Sequence, residues 1–202
     1  MFKTMTKNFI LISFFAMLLL FNQATAEEAL KGDGTKNNPL ELGWSNLIPD
    51  GFDPETLIKK FEKDLARLDA LPDGSEEGLE IIQRIQAAVD MVPSNSKLDG
   101  KWIKLPGFLA PLNIEDGKIK RFLLVPYFGA CIHVPPPPVN QTVLVDLLPG
   151  QGITIDEVDY PFMITGKLTL QKTNTDIGNA GYHITQATKK IHHDNRWLEI
   201  EE

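Results

Sequence analysis

The apolar positions between residues 53 and 92 recur with the spacing of amphipathic helices and predict two helices in succession. Asp53 and Pro54 favour a helix start, because an aspartate caps free N–H groups and a proline fits the first helical turn. A break at residues 71–74 precedes a second helix, which the pattern places at residues 75–91. This short connection predicts a helical hairpin, and its charged residues are interpreted as a solvated face.

After residue 96 the sequence changes from helix formers to β-branched residues, glycine and proline, which favours short strands. The segment from Phe122 to Val125 is apolar at every position, so both of its faces are predicted to be buried. The predicted strands span residues 101–110, 118–128, 142–148, 162–171 and 182–191. With no crossover helix between them, they predict a small antiparallel barrel or sandwich, and a five-stranded OB-like β-barrel is the first choice. The predicted fold class is therefore α+β, with the helical hairpin N-terminal to the barrel.

The first residues have the pattern of a secretory signal peptide. Lys3 and Lys7 precede an apolar run at residues 9–21, and small residues at 24 and 26 predict cleavage after Ala26. No later apolar stretch is long enough to predict a membrane span, so we expect an exported protein located in the periplasm. The predicted organisation is a signal peptide at 1–26, an N-terminal arm and helical hairpin at 27–95, and the barrel domain at 96–202.

Charge and cysteine content narrow the classes of partner. Cleavage would remove two lysines and no acids, which changes the formal net charge from −7 to −9. Such an acidic protein is a poor binder of nucleic acid or of anionic membranes. A single cysteine, Cys131, cannot form an intramolecular disulfide in an oxidising compartment, so it must be buried, metal-bound, chemically used or paired between chains.

Cys131 and His133 form the one candidate pair of soft metal ligands. In an extended segment, residues two apart share a face, with Cβ atoms roughly 6–7 Å apart. A thiolate and an imidazole suit zinc, Cu(I) or nickel better than magnesium or calcium, and zinc is the first choice. Two ligands are too few, so others must come from elsewhere in the chain. The candidates are His183, which we take first, and His192, His193 and Asp146.

Three other interpretations of this segment stay open. The first is a non-catalytic protein-interaction module, in which an aromatic and proline-rich rim contacts a partner. The rim consists of Tyr127, Phe128, Pro135, Pro136, Pro137, Pro138, Asn140 and Gln141. The second is a thiol-dependent enzyme in which His133 activates Cys131, although side chains on one strand run parallel and strain the necessary hydrogen bond. The third is purely structural, with a buried cysteine at a proline corner.

The run FLLVPYFGACIHVPPPPVNQ at residues 122–141 resembles the motif of a family of exported bacterial proteins of unknown function. Segments around residues 44–49, 101–112, 164–168 and 180–182 share the resemblance. Some members are lipoproteins and some are linked with transporter or metal-response systems, but this chain lacks the lipoprotein cysteine. The family has no established catalytic residues. Together with the Cys131–His133 pair, the resemblance leads to the hypothesis of a non-catalytic periplasmic accessory protein that binds or senses a soft transition metal, with an envelope transporter or another periplasmic protein as partner.

Overall fold

The computed structural model describes residues 30–72, 74–130 and 137–192. The predicted signal peptide at 1–26 lies outside these ranges, so its cleavage after Ala26 stays a prediction. Within the described ranges, no helix combines the length and the apolar character needed to cross a membrane. The described chain has a mixed α+β fold, with two α-helices and a core formed mostly by a sheet.

Both predicted helices are present and begin at the residues that the sequence indicated. Helix α1 spans Pro54–Asp69 and is capped by Asp53, whose carboxylate accepts a backbone N–H two residues further on at 2.9 Å. Helix α2 spans Glu76–Val89 and is capped by Ser75, whose hydroxyl accepts a backbone N–H three residues further on at 3.3 Å. Each cap satisfies an N–H that the first turn of a helix leaves without an intrahelical partner.

Two ion pairs join the helices to each other. Arg67 Nε lies 2.7 Å from Glu77 Oε1, and Arg84 Nη2 lies 3.0 Å from Asp64 Oδ1. The hydrogen bond from Arg67 lowers the pKa of Glu77 below its ordinary value. The earlier of the two residues in α1, Asp64, pairs with the later of the two in α2, Arg84. This order is expected of helices that run antiparallel to each other.

Most of the sheet follows residue 100, after the change to strand-forming residues near residue 96. The strands in the described ranges are β1 (Leu40–Glu41), β2 (Trp102–Pro111), β3 (Lys118–Ile119), β4 (Arg121–Val125), β5 (Val143–Leu147), β6 (Ile153–Thr154), β7 (Phe162–Asn174) and β8 (Asn179–Ile191). Short 3-10 turns lie at Trp44–Leu47, Ser96–Leu98, Val139–Gln141 and Ile155–Glu157. The strands β7 and β8 are each longer than the sequence predicted, because both continue into the loop that joins them.

Five of the strands pair in a closed circuit. Strand β2 pairs with β4, β4 with β5, β5 with β8, β8 with β7, and β7 again with β2. Strands β5 and β8 run parallel, with Val143 opposite Tyr182, whereas the other pairs in the circuit are antiparallel. The prediction of an all-antiparallel arrangement is therefore wrong at this pairing. Hydrophobic alternation indicates which face a residue occupies but not the direction of its strand.

Short strands add to this circuit at two places. Strand β1 runs parallel to β2, with Leu40 opposite Ile103, and gives the main sheet a sixth strand. Strands β3 and β6 form a separate two-stranded sheet, in which Ile119 lies opposite Ile153. Each of these strands has only two residues, which is too short for a hydrophobic period to reveal in the sequence.

The segment from Phe122 to Val125 is buried on both faces, as its uninterrupted apolar sequence predicted. Phe122 and Leu124 belong to the main core. Other members of that core are Val143, Val145, Phe162, Ile164, Leu168, Tyr182 and Ile184. Leu123 belongs instead to a second cluster with Ala110, Leu144 and Ala180. Strand β4 is therefore packed on both sides from Phe122 to its last residue, Val125.

Aromatic side chains fix the N-terminal arm to the sheet. Trp44 Nε1 donates to the carbonyl oxygen of Pro106 over 2.9 Å. Tyr182 Oη donates to the carbonyl oxygen of Leu47 over 2.6 Å and accepts the backbone N–H of Asn95. Burial raises the pKa of Tyr182 above its ordinary value of 10.0, because the charged phenolate would lose its hydration.

We expect Tyr182→Phe to lower the free energy of unfolding by about 1–2 kcal/mol, because both hydrogen bonds of the phenol are lost. The raised pKa also predicts the pH dependence. The neutral phenol stabilises the folded state below the unfolded pKa of 10.0, and this contribution disappears as the pH rises through the higher folded pKa. Denaturant unfolding between about pH 8 and 11 measures both effects.

The matched control for this substitution is Tyr160→Phe, because the Tyr160 side chain is 53% exposed. It should leave the free energy of unfolding and its alkaline dependence close to those of the wild type. If Tyr182→Phe loses stability with rising pH as steeply as the wild type, ionisation of Tyr182 does not contribute to the alkaline dependence.

Candidate functional site

The candidate site begins where β4 ends, at an aromatic turn formed by Tyr127 and Phe128. Their side chains are 38% and 55% exposed. Phe128 packs edge to face on Phe108, with ring centroids 5.8 Å apart. Gly129 then adopts a φ of +81°, which costs glycine little because it has no Cβ. Ala130 follows, and it is buried in a small cluster with Phe108.

Cys131, His133, Pro135 and Pro136 lie outside the described residues. The metal-ligand pair and the first half of the proline run therefore stay predictions. Ala130 is the last described residue before this gap, and its side chain is only 1% exposed.

Described structure resumes at Pro137, and the end of the proline run is held by hydrogen bonds to its backbone. Thr142 Oγ1 lies 3.4 Å from the carbonyl oxygen of Pro137 and 3.3 Å from that of Pro138. Proline lacks an N–H but keeps its carbonyl acceptor, so a hydroxyl donor can fix a proline run where strand pairing cannot. The Thr142 side chain is fully buried. We call residues 131–136 the Cys131 segment, Ala130 its first anchor, and Pro137 and Pro138 with Thr142 its second anchor. The second anchor is as well packed as the first.

Asn140 and Gln141 extend this anchor to the N-terminal arm. Asn140 Nδ2 donates to the carbonyl oxygen of Pro93 over 2.9 Å, and its side chain is 2% exposed. Gln141 Nε2 donates to the carbonyl oxygen of Trp44 over 3.1 Å. The sequence predicted both residues as members of the interaction rim; in the structure Asn140 is buried, Gln141 is partly buried, and the amides of both donate to backbone carbonyls. Amides suit this role, since a backbone carbonyl buried without a donor would destabilise the fold.

His183 is the predicted metal ligand that the structure does describe. It lies on β8 and is 8% exposed. Its Nε2 is 2.7 Å from Asp146 Oδ2, and its Nδ1 is 3.1 Å from Gln171 Oε1. The other oxygen of Asp146, Oδ1, lies 3.1 Å from Arg121 Nε. A single carboxylate thus bridges an imidazole and a guanidinium.

The pairing of strands brings these four residues together. Arg121 on β4 lies opposite Asp146 on β5. The parallel pairing of β5 with β8 places His183 opposite Leu144, two residues from Asp146 and on the same face. In chemical terms, a carboxylate bonded to Nε2 fixes the proton on that nitrogen and sets the orientation of the ring.

The sequence indicated two members of this group and missed the other two. Asp146 and His183 were already candidate ligands, whereas Arg121 and Gln171 resemble ordinary solvent-facing strand residues. A predicted β4–β5 pairing could have revealed the opposite charges of Arg121 and Asp146. Nothing in the sequence pointed to Gln171, because its approach to His183 depends on the register of the long β7–β8 hairpin.

The described residues do not complete a metal site by themselves. No group of three or more His, Cys, Asp or Glu side chains in the described ranges is arranged to hold a metal ion. His192 is separate from the His183 group and lies beside a surface depression with Lys104, Met163 and Lys190. Its neighbour His193 lies outside the described residues. A metal site that includes His183 and two or more further protein ligands would therefore need ligands from outside the described ranges, where Cys131 and His133 lie.

The fold defines a mixed α+β protein with a circuit of five paired strands. The candidate site includes the long connection between β4 and β5, two neighbouring strands of that circuit. The chain belongs to the DUF3299 family of proteins of unknown function, whose model matches residues 44–191. It is similar to a DUF3299 family protein from Pseudomonas aeruginosa PAO1 that has a crystal structure. The two are 33% identical with a TM-score of 0.56, over 77% of this chain and 99% of that one. No curated protein matches the chain. The resemblance to a family of unknown function is thereby confirmed.

Proposed function

We propose that this protein is a periplasmic, non-catalytic accessory protein that binds or senses a soft transition metal, zinc first. Cys131 and His133 supply two ligands and His183 a further one. The protein would serve an envelope transport system, as its resemblance to proteins linked with such systems implies. The observation that favours this proposal most is the hydrogen bond between His183 and Asp146.

This bond has the chemistry of the outer shell of a zinc site. Histidines that bind zinc commonly donate their other ring N–H to a carboxylate, which orients the ring and makes the ligating nitrogen more basic. With Nε2 held by Asp146, the nitrogen available to an ion is Nδ1, which now lies beside Gln171 Oε1. Gln171 has a long and flexible side chain that can turn away when an ion competes for His183.

The described ends of the Cys131 segment also support a binding role. Ala130 is buried on one side, and Thr142 bonds the carbonyls of Pro137 and Pro138 on the other. Ligands between two fixed ends lose less conformational freedom on binding an ion than ligands on a free loop. This lower entropic cost favours binding of an ion by only three protein ligands.

We also propose that the closed circuit is an OB-like barrel. Numbered within the circuit, its strands pair in the order first, second, third, fifth, fourth and first, and the third and fifth run parallel. This order of five strands is that of OB folds, which are five-stranded Greek-key barrels. Nucleic-acid binding does not follow from it, since fold alone does not establish function and the chain is acidic.

Zinc titration against a competing chelator tests the metal proposal. We expect the tag-free mature protein to bind one ion per chain and Cys131→Ser to weaken binding more than about tenfold, because a thiolate ligand is lost. Asp146→Asn should weaken binding by about 10–100-fold, as expected for an outer-shell partner. Negligible zinc in both the wild type and Cys131→Ser would refute the proposal.

Histidine variants test the ligand assignment in the same titration. His183→Gln should weaken zinc binding, and His192→Gln is its matched control, since His192 lies beside a different surface depression. Loss of affinity in His192→Gln with none in His183→Gln would exclude His183 as the further ligand.

A second candidate function is a protein-interaction module that uses the aromatic turn. The exposed side chain of Phe128, packed on Phe108, favours it because rigid aromatic side chains are typical anchors of interfaces. This function predicts that Phe128→Ser abolishes capture of a periplasmic partner while zinc binding is kept. Cys131→Ser should have the opposite pattern if the metal function is correct.

A further inference from the structure

Helix α1 exposes a stripe in which acidic and apolar side chains alternate. Glu55, Ile58, Glu62, Leu65 and Asp69 follow one another at spacings of three and four residues, which places them on one face of the helix. All five are exposed, including 61% of Ile58 and 41% of Leu65. The face that an amphipathic helix normally buries is thus only partly covered here.

Helix α2 extends the apolar part of this surface. Leu79 and Ile82 are 50% and 48% exposed. The ion pairs to α1 use Glu77 and Arg84, which are seven residues apart and mark one edge of α2. Ile82 lies on the opposite edge, about 140–160° around the helix from those two residues at roughly 100° per residue.

Helix α1 has the same arrangement of ion-pair and apolar residues. Asp64 and Arg67, which make the ion pairs, lie about 100–180° around the helix from Ile58 and Leu65. In a pair of antiparallel helices, the two edges that carry the ion pairs lie on one side of the pair, and the two opposite edges lie on the other side. Ile58 and Leu65 therefore share a side with Ile82. The hairpin therefore has an ionic side and, opposite to it, a shallow apolar groove. We call Ile58, Leu65, Leu79 and Ile82 the hairpin groove, and Glu55, Glu62 and Asp69 its acidic edge.

We propose that the hairpin groove docks one basic amphipathic helix of a partner protein. Amphipathic helices bind such grooves by placing apolar side chains at spacings of three and four residues, and exposed apolar patches of this kind mark interaction sites. The acidic edge selects the charge of the partner. Glu55 has a weak exposed ion pair with Lys59 at 3.5 Å, whereas Glu62 and Asp69 make no ion pair within the described residues. Lysines or arginines beside the apolar side chains of the partner complete this edge.

Charge disfavours a second copy of the chain as the occupant. Two copies meeting groove to groove would bring two acidic edges together in a protein whose formal net charge is already −7. Like charges at an interface weaken association and direct a surface to other partners. The proposal is independent of metal binding, since neither the groove nor its edge contains a candidate metal ligand.

A designed peptide pair tests the groove. The probe is a fluorescent helical peptide of about 18 residues, long enough for five turns, with leucines at spacings of three and four residues and lysines beside them. Its control has glutamates in place of the lysines. We expect the lysine peptide to bind the mature protein and the glutamate peptide to fail. Leu65→Gln and Ile82→Gln should each weaken binding of the lysine peptide at least about fivefold, as loss of a buried aliphatic contact predicts.

Charge variants separate the acidic edge from the general acidity of the protein. Glu62→Lys should weaken binding of the lysine peptide at least about threefold. The double variant Glu62→Lys with Asp69→Lys should bind the glutamate peptide more tightly than the lysine peptide. The matched control is Glu80→Lys, which makes the same charge change on the far face of α2. Circular dichroism checks that each variant is folded.

Two outcomes would overturn the proposal. Equal weakening by Glu62→Lys and Glu80→Lys would mean that the peptide responds to net charge and not to the groove. A wild-type dimer that Leu65→Gln converts to a monomer in sedimentation would assign the groove to a second copy. Zinc affinity should be unchanged in all of these variants, so failure here leaves the metal proposal to be judged by its own titration.

Discussion

Phe122→Ala should lower the free energy of unfolding by about 3–5 kcal/mol, the range for removing a fully buried phenylalanine. The Phe122 side chain has no exposed surface. In the sheet, Phe122 lies opposite Pro111 on β2 and opposite Val145 on β5. The cavity would therefore open where three strands of the circuit meet, and backbone pairing on both sides would resist the collapse that could fill it.

Phe128→Ala is the matched control, because it removes the same side chain from the same stretch of sequence. Phe128 is 55% exposed, and its ring packs edge to face on Phe108. We expect a loss of about 1 kcal/mol or less, as for one aromatic pair at a surface. Denaturant unfolding followed by fluorescence gives both values, and equal losses would contradict the packing of β4 described above.

The sequence predicted the local features of this fold well, because short-range chemistry determines them. Asp53 and Ser75 start helices by capping, and the apolar run from Phe122 to Val125 is buried on both sides. The break between the helices and the change to strands near residue 96 are equally local. Each of these features depends on residues within about one helical turn or one strand of each other.

Features that depend on distant pairing were not predicted. The parallel alignment of β5 with β8 brings Asp146 to His183, and no pattern within either strand records this alignment. The hydrogen bond of Asn140 was missed because nothing in the sequence indicates that the carbonyl oxygen of Pro93 lies close enough to accept from its amide. Two of the four residues in the His183 group could therefore be identified from the sequence as candidate ligands, but the way in which the four come together could not.

The helices show a third kind of limit. Their amphipathic pattern indicated an apolar face, but a pattern does not reveal how much of that face the protein covers. Phe61 and Ile81 are buried, whereas Ile58 and Leu65 on the adjoining line of α1 are exposed. Only the packing of the two helices distinguishes an apolar residue in the core from one that is available to a partner.

Gly181→Ala should destabilise the protein by about 2–3 kcal/mol through overpacking. A Cβ at this position would lie 2.7 Å from Ser94 Oγ and 2.7 Å from the carbonyl oxygen of Val139. The backbone oxygen cannot turn away as a side chain can. Val139 directly follows the proline run, and the N–H of Gly181 donates to the carbonyl oxygen of Thr142 over 3.3 Å. Relief of the clash must therefore move the second anchor of the Cys131 segment.

Gly43→Ala is the matched control, because a Cβ there meets its nearest atom, Asn46 Oδ1, at an ordinary 3.8 Å. The φ of Gly43 is −96°, which alanine adopts readily, so the free energy of unfolding should change by less than about 0.5 kcal/mol. If the anchor positions the metal ligands, Gly181→Ala will also weaken zinc binding under conditions where it is fully folded, and Gly43→Ala will not. Wild-type stability in Gly181→Ala would show that β8 and the end of the proline run are not in the close contact described here. Lost stability with unchanged zinc affinity would show that the anchor supports the fold without positioning Cys131 and His133.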